Sequence, residues 1–562
     1  MEMWRFGWIQ IGCGASPFWH AIALVAASPA FAQTPPPPVL PLPSDLPPPP
    51  SLPSDPAPPP TLPLPPSPVS PPAPESVRFQ LRDVEVQGST VLQPEIAALI
   101  EPLRGQAVSF EDLVSLRSAI TQLYIANGYV TSGAFLPNNQ DLGSGIVRIQ
   151  VIEGALEQIQ ITGLQRLQPN YVRDRLELAA QAPLNQQDLV EALQLLQLNP
   201  LIRQVNAELT AGSAPGRNLL LVAVQEADPV SLSLSVNNAR SPSLGSNQLS
   251  VAATHSNLLG LGDSLSVSYG LTEGLDQFSV RYALPVNPQE GTVSLSFSRD
   301  DGRVVAADFA DLGIRSNAET ISIGFRQPID RSPQTEFALS LGLDLRRSQT
   351  FILEDEPFSF SAGAEDGESN LTVLRFSQEW VDRDATRVLA ARSQFSLGLN
   401  AFDATINTSG TDGEFFAWLG QFQYVQQVSP RLLLVSRVAT QLTPDSLLSL
   451  ERFGFGGVDT VRGYVQNQLV TDNGVLGSIE ARLALDSADR LQLIAFVDAG
   501  YGWNNRAPDP PDPLVGVGLG LRWFATPDLA LQLDYGIPLT QSDRQGSSLQ
   551  ENGIYFSVRS QL

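Results

Sequence analysis

The chain has 562 residues, and its 34 basic and 58 acidic residues give a formal net charge of −24. So acidic a chain is a poor candidate for binding nucleic acid, which requires a basic surface against phosphate. One cysteine and two histidines are too few for a disulfide framework, an iron–sulfur cluster or a Cys/His zinc site, so we expect no metal and no cofactor. A Ser-His-Asp enzyme would depend on His255. After the N-terminus no apolar run reaches the roughly 18 residues of a membrane helix, so a membrane-spanning part would consist of strands.

Residues 1–32 have the features of an export signal. Arg5 precedes an apolar stretch that is too short to span a bilayer, and Ala30-Phe31-Ala32 forms an A-x-A cleavage pattern. We predict that the signal peptide, residues 1–32, is removed after Ala32, which leaves the mature chain without cysteine. The alternatives are a short buried helix and a lipoprotein signal at Cys13, which lacks the usual apolar residue three positions upstream.

The next segment, 33–76, is dominated by proline, with 22 prolines in the 40 positions from 35 to 74. Proline fixes φ and has no amide hydrogen, so we predict an extended, proline-rich linker of polyproline-II type. Such a linker serves as a solvated spacer. The alternatives are a ligand for an aromatic groove and a segment threaded through a pore.

Residues 77–154 and 155–228 predict two small α+β units with the same order, β-α-α-β-β. In the first unit, alternation over 79–86 predicts a strand and 94–103 a short helix. A second helix is capped by Ser109 and ends at Asn127-Gly128, and strands follow from Tyr129 and over 146–152. In the second unit, strands are expected at 156–161, 205–211 and 219–224, and helices at 171–180 and 186–198. A repeated architecture of this kind is typical of a modular binding arm.

These units resemble POTRA (polypeptide-transport-associated) domains. The first contains Asn127-Gly128-Tyr129, Leu136-Pro137, Gln140 and Val151-Ile152-Glu153-Gly154, as in the first POTRA domain of two-partner secretion transporters. Asn199-Pro200 and Pro215-Gly216 are similar to their second POTRA domain. The resemblance implies five POTRA motif residues in this chain: Gly128, Tyr129, Pro137, Gln140 and Gly154. The alternative is an unrelated pair of α+β domains.

Residues 229–562 alternate between apolar and small or polar side chains, for example over 231–236, 264–269 and 337–345. An apolar face toward lipid and a wet lumen require this pattern in a membrane β-barrel, although soluble β-sandwiches also alternate. At about 20 residues per strand including its loop, we predict a transmembrane antiparallel β-barrel of about 16 strands. The last nine residues, 554–562, look like the C-terminal signal that the barrel assembly machinery reads, although this chain ends in Leu562 instead of the frequent phenylalanine.

Two motifs narrow the resemblance to the POTRA-plus-barrel superfamily. Val461-Arg462-Gly463-Tyr464 resembles the tip of a loop that folds back into the lumen, and Phe496-Val497-Asp498-Ala499-Gly500 resembles a barrel-wall strand. The resemblance implies that Arg462 pairs with Asp498, since a planar guanidinium can grip a carboxylate with two hydrogen bonds. We expect Gly463 to allow a tight backbone and Gly500 to provide a flat wall. An ordinary loop arginine and a strand-end aspartate are the alternative.

Together these features resemble hemolysin-secretion-type transporters of two-partner secretion. The resemblance implies an outer-membrane pore, surrounded by lipid, whose periplasmic POTRA domains capture an unfolded exoprotein of adhesin or cytolysin type. It implies no enzymatic activity. Many such transporters carry a plug helix where this chain has proline. The main alternative is a barrel-assembly insertase, which usually has three or more POTRA domains; a passive porin or a surface enzyme using His255 is a further one.

Overall fold

The computed structural model describes residues 78–506, 510–540, 546 and 548–562. The predicted signal peptide with Ala30 and Ala32, and the proline-rich linker, lie outside the described residues. Within these described ranges, no helix is long and apolar enough to span a membrane.

The first α/β unit wraps two helices around a three-stranded sheet. In the sheet order β2-β5-β4, β2 and β5 are parallel and β4 is antiparallel to β5. The short strands β1 and β3 form a separate pair. The elements are β1 Phe79–Gln80, β2 Asp83–Gln87, α1 Gln93–Ile100, β3 Ala107–Val108, α2 Phe110–Ala126, β4 Gly133–Phe135 and β5 Ile146–Ile152.

Helix α2 begins and ends where its sequence signals are placed. The Ser109 side chain accepts the amide hydrogen of Asp112, whose carboxylate accepts the amide hydrogen of Ser109, so both orphan donors are satisfied.

The prediction that a strand starts at Tyr129 is wrong, because β4 begins only at Gly133. The intervening residues instead form turns, in which the amide of Ser132 donates to the carbonyl of Tyr129.

The second unit repeats the plan with longer strands. Its sheet order is β6-β8-β7, with β6 parallel and β7 antiparallel to the central β8, and α3 and α4 cover one face. The expected β-α-α-β-β order is confirmed. The elements are β6 Ala155–Thr162, α3 Pro169–Ala179, α4 Gln186–Gln197, β7 Ile202–Ala211 and β8 Arg217–Glu226.

The C-terminal part is a closed antiparallel barrel, whose last strand, β29, pairs with its first, β9. Sixteen long strands build the wall in the described residues, as predicted, and the short β16, Glu356–Pro357, extends it beside β15. The long strands are β9 Val230–Asn237, β10 Gln248–Ser256, β11 Ser264–Leu271, β12 Leu275–Pro285, β13 Thr292–Arg303, β14 Arg315–Arg331, β15 Thr335–Ile352, β17 Glu368–Arg383, β18 Arg387–Leu399, β20 Phe416–Ser429, β21 Leu432–Leu442, β25 Asn473–Ala484, β26 Leu491–Trp503, β27 Leu514–Thr526, β28 Leu529–Pro538 and β29 Ile554–Gln561.

The two faces of the wall differ as the alternation requires. Outward side chains are large, apolar and exposed, such as Leu234, Ile323 and Leu519, whereas inward ones are serine, glycine, glutamine or charged residues. His255 lies on the outward face, opposite Val230 and Leu265 of the neighbouring strands. This position does not favour a Ser-His-Asp site.

Candidate functional site

The loop between β21 and β25, residues 443–472, folds into the barrel, and we call it the lumen loop. It contains the short strands β22 Ser446–Leu447, β23 Phe453–Phe455 and β24 Leu469–Thr471, of which β23 and β24 form a hairpin. Phe453, Phe455, Val461 and Tyr464 are buried in one apolar cluster with wall side chains such as Leu476. The loop therefore packs against the inner wall instead of extending into solvent.

Arg462 stands at the centre of the contact between loop and wall. Its Nε and Nη2 donate to Oδ2 and Oδ1 of Asp498 on β26, at 2.8 and 3.0 Å, in a bidentate pair. Its backbone amide donates to the same carboxylate at 3.1 Å. The remaining Nη1 donates to Oε2 of Glu480 on β25 at 2.8 Å. One arginine thus links the loop to two neighbouring strands.

Further contacts surround the Arg462 guanidinium and its two carboxylate partners. The guanidinium carbon lies 3.4 Å from the ring centroid of Phe496, a close cation–π contact. Asp498 also accepts the hydroxyl hydrogen of Ser478 at 2.6 Å, and Glu480 pairs with Arg482 at 2.5 Å. The guanidinium of Arg462 thus has an acceptor for each of its nitrogens, and each of the two carboxylates has a second donor.

The residues after Arg462 are held by the last barrel strand. The amide of Gly463 donates to the hydroxyl of Tyr555 at 2.8 Å, and that hydroxyl donates to the carbonyl of Tyr464 at 2.6 Å. Gly463 has φ +106°, a value that L side chains rarely adopt, so this backbone conformation favours glycine. The buried Tyr464 hydroxyl in turn contacts the carbonyl of Val515 at 3.0 Å.

Glycines in the wall make room for this packing. A Cβ atom on Gly516 would overlap the carbonyl oxygen of Arg462, and one on Gly536 would overlap the amide of Gly463. Gly500, which the sequence suggested as the flat surface of the motif, lies instead beneath Phe455 and Val461. The backbone of the loop at Arg462 and Gly463 contacts the wall at Gly516 and Gly536.

Sequence reasoning missed Glu480, Tyr555, Gly516 and Gly536. The alternating glycines of β27 were a usable signal, since glycine on the inward face of a barrel strand marks a close approach of another backbone. Glu480 and Tyr555 carry no local signal, because only the closed register of the barrel brings them to the loop.

The five POTRA motif residues do not form one site. Gly128 lies at the junction of the two α/β units, where its carbonyl accepts the amide hydrogen of Gln186 at 2.9 Å, and the carbonyl of Gly154 likewise accepts that of Leu184 at 2.7 Å. The ring of Tyr129 packs edge-on against that of Tyr124. Gln140 bridges the carbonyl of Pro137 and the backbone of Arg148. These contacts shape the first unit and join it to the second.

Comparison with known proteins places this loop and wall in one family. Residues 216–523, more than half of the chain, match the family described as haemolysin secretion/activation protein ShlB/FhaC/HecB. The chain belongs to this family. Residues 79–154 match the POTRA domain of ShlB type, which confirms the resemblance seen in the first unit.

Curated relatives and a solved structure agree with this family. The outer membrane transporter CdiB of Escherichia coli is 25% identical over 488 residues, which cover 83% of this chain and 80% of the relative. The heme/hemopexin transporter protein HuxB of Haemophilus influenzae is 21% identical over 449 residues, 76% of this chain and 77% of the relative. The structure of CdiB from Escherichia coli covers 88% of this chain and 93% of its own, at 23% identity and a TM-score of 0.67, and so has the same fold.

This member of the ShlB/FhaC/HecB family is an outer-membrane transporter of two-partner secretion, with its POTRA domains in the periplasm. The predicted family, fold class and location are confirmed. The family consists of secretion pores and is not a class of enzymes.

Proposed function

We propose that the barrel lumen is the path of an unfolded exoprotein and that the lumen loop closes this path at rest. The observation that carries the proposal is the Arg462 network, in which a buried arginine at the loop tip is bound to two carboxylates of the wall. Its charges are almost entirely removed from solvent, with side-chain exposures of 4% for Arg462 and 0% for Asp498. A loop held in this way can be released only as a discrete step, as a gate requires.

The POTRA domains would capture the exoprotein in the periplasm. In the second domain, β6 and β7 are the edges of the sheet, and within the described residues the ten-residue β7 pairs with β8 alone. An extended, unfolded chain can add to such an edge through backbone hydrogen bonds. In the first domain, Phe110, Phe135 and Ile146 are exposed apolar side chains that favour contact with an unfolded chain.

Transport in this scheme needs no catalytic site in the chain. Folding of an adhesin-type or cytolysin-type partner outside the cell would make movement through the lumen favourable, and the chain itself would have no enzymatic activity. The proposed divisions are the signal peptide 1–32, the linker 33–76, the POTRA domains 77–154 and 155–228, and the barrel 229–562.

Two further partners belong to the proposal. The outward apolar face of the barrel would contact outer-membrane lipid, and the C-terminal strand β29 would be read by the barrel assembly machinery. Exposed aromatic residues on this face, among them Trp380, Trp523 and Tyr535, suit the interfacial regions of a bilayer.

The test compares secreted and outer-membrane proteins of a strain with and without this chain. Loss of one large secreted protein, restored by the full chain but not by a chain lacking residues 77–154, is the expected result. Loss of many outer-membrane barrel proteins would refute a secretion pore and favour the insertase alternative.

A further inference from the structure

A second ionic cluster holds the other end of the lumen loop. Glu451 is 3% exposed at the start of the loop, and its carboxylate lies between two arginines of the wall. Oε1 is 2.5 Å from Nη1 of Arg346 on β15 and 2.7 Å from Nη2 of Arg375 on β17. Oε2 accepts a further hydrogen bond from Nη1 of Arg375 at 3.1 Å. Glu451 therefore bridges two neighbouring strands, as Arg462 does with opposite charge.

The two arginines have further acceptors besides Glu451. Arg375 pairs through Nε with Asp344 at 2.5 Å and donates to the hydroxyl of Ser396 at 2.8 Å. Arg346 also donates to the loop carbonyl of Leu450 at 2.6 Å. Arg375 is therefore held by wall groups as well as by Glu451, whereas both acceptors of Arg346 belong to the loop, so Arg346 binds the loop at two successive residues.

Apolar contacts fasten the same end of the loop. Leu447, Leu448 and Leu450 are buried against Leu371 and Val373 of β17 and other wall residues. The short strand β22 also pairs in parallel with β19, Thr411–Asp412, in the loop after β18. This end thus has a packed apolar cluster beside its ionic seat.

The two fastening points lie on different parts of the wall and share no residue. Glu451 contacts β15 and β17, whereas Arg462 contacts β25 and β26. In the barrel order, β18, β20 and β21 stand between these two pairs of strands. If Arg462 alone is released, Glu451 therefore still keeps the first part of the loop inside the lumen.

We propose that Glu451, seated between Arg346 and Arg375, is a second latch of the lumen loop and that the pore opens fully only when both latches are released. The inference rests on the proposed gating function of the loop. Glu451 is a positioning residue, since it acts through the loop. If the two latches are independent and both must open, the factors by which the two single changes raise the open fraction multiply in the double variant.

The experiment is single-channel recording of the full-length protein in planar bilayers, for wild type, Glu451→Gln, Arg462→Ala and the double variant. Glutamine keeps the size of the side chain but removes the charge that both arginines bind. We expect each single change to raise the open fraction by about tenfold or more and the double change by about the product. Glu414→Gln in the loop after β18, an exposed glutamate, is the matched control and is expected to behave as wild type.

The outcomes separate this inference from the proposed gate. An effect of Arg462→Ala with none of Glu451→Gln, or a double variant no more open than the larger single, would overturn the second latch and leave the gate intact. An unchanged open fraction in all variants would remove both.

A second readout covers a variant that inserts poorly. Arg346→Gln removes one of the two cations and is expected to raise the open fraction less than Glu451→Gln, because Arg375 remains. In addition, a cysteine in place of the buried Ser449, two residues before Glu451, reports the position of this end of the loop (Ser449→Cys), since Cys13 lies in the predicted signal peptide. Labelling of this cysteine by a membrane-impermeant maleimide should rise with Glu451→Gln, and an unchanged labelling rate would contradict the proposal.

Discussion

Replacing Arg462 by alanine removes the central contact between the lumen loop and the barrel wall. The change abolishes three side-chain hydrogen bonds, two to Asp498 and one to Glu480, together with the cation–π contact to Phe496. It leaves two buried carboxylates in the wall without their shared cation. We expect the loop tip to leave its site, because water can then solvate both carboxylates.

The size of the effect depends on the partners that the two wall carboxylates keep. Removing one partner of a buried ion pair costs about 3–5 kcal/mol. Asp498 keeps the hydroxyl of Ser478 and Glu480 keeps Arg482, so the lower end, about 3 kcal/mol, applies. At about 1.4 kcal/mol for each factor of ten, the ratio of released to bound loop tip should rise about 100-fold.

Bilayer recording and secretion assays measure this shift. Arg462→Ala should show a higher open fraction in bilayers and impaired secretion in cells, with normal amounts of barrel in the outer membrane. Arg462→Lys should be intermediate, because lysine supplies charge but no planar fork. Arg490→Ala is the control: this arginine is 64% exposed and pairs with Asp486 at 3.6 Å in the short turn after β25.

Wild-type conductance and secretion by Arg462→Ala would refute the role of this arginine in holding the loop. The same defect in Arg490→Ala would also refute it, since the effect would then reflect any loss of a cation rather than loss of the buried network.

Three other predictions concern the wall and the POTRA domains. Gly516→Ala should raise the open fraction, because the added methyl group overlaps the carbonyl of Arg462 and displaces the loop. Gly477→Ala is the control and should leave conductance unchanged, because no atom lies within 4 Å of a Cβ at this position. Tyr555→Phe removes one hydroxyl that hydrogen-bonds to two loop groups, so it should weaken loop closure by about 1–3 kcal/mol. Its rise in open fraction should be smaller than that of Arg462→Ala, and an equal or larger rise would contradict this order of the two effects. In the second POTRA domain, burial alone would raise the pKa of Glu226, but hydrogen bonds from three backbone amides outweigh it and hold this pKa below 4.5. The carboxylate therefore stabilises the fold above about pH 4.5, and this contribution is lost as pH falls through the lowered pKa. In thermal unfolding of a fragment 77–228, the Glu226→Gln variant should therefore lose less stability on acidification than wild type does.

Local patterns determined much of this protein. Alternation of apolar and small side chains predicted a barrel, because lipid outside and a wet lumen require one apolar and one polar face, and the length of the segment predicted about 16 strands. The capping pair Ser109 and Asp112 placed the start of α2, since a helix end must satisfy its free amides. The resemblance of two motifs to a known superfamily implied that Arg462 pairs with Asp498, and a planar guanidinium suits a carboxylate.

Only the tertiary structure decided which residues, distant in the chain, contact the lumen loop. Glu451 meets Arg346 across 105 positions of the chain, and Gly463 meets Tyr555 across 92. No local spacing encodes such contacts, since they arise from the register of sixteen strands and from the closure of the last strand onto the first. The sequence by itself therefore determined the alternating strands of a barrel, a motif resemblance implied that a loop enters its lumen, and the closed barrel decided which wall residues bind that loop.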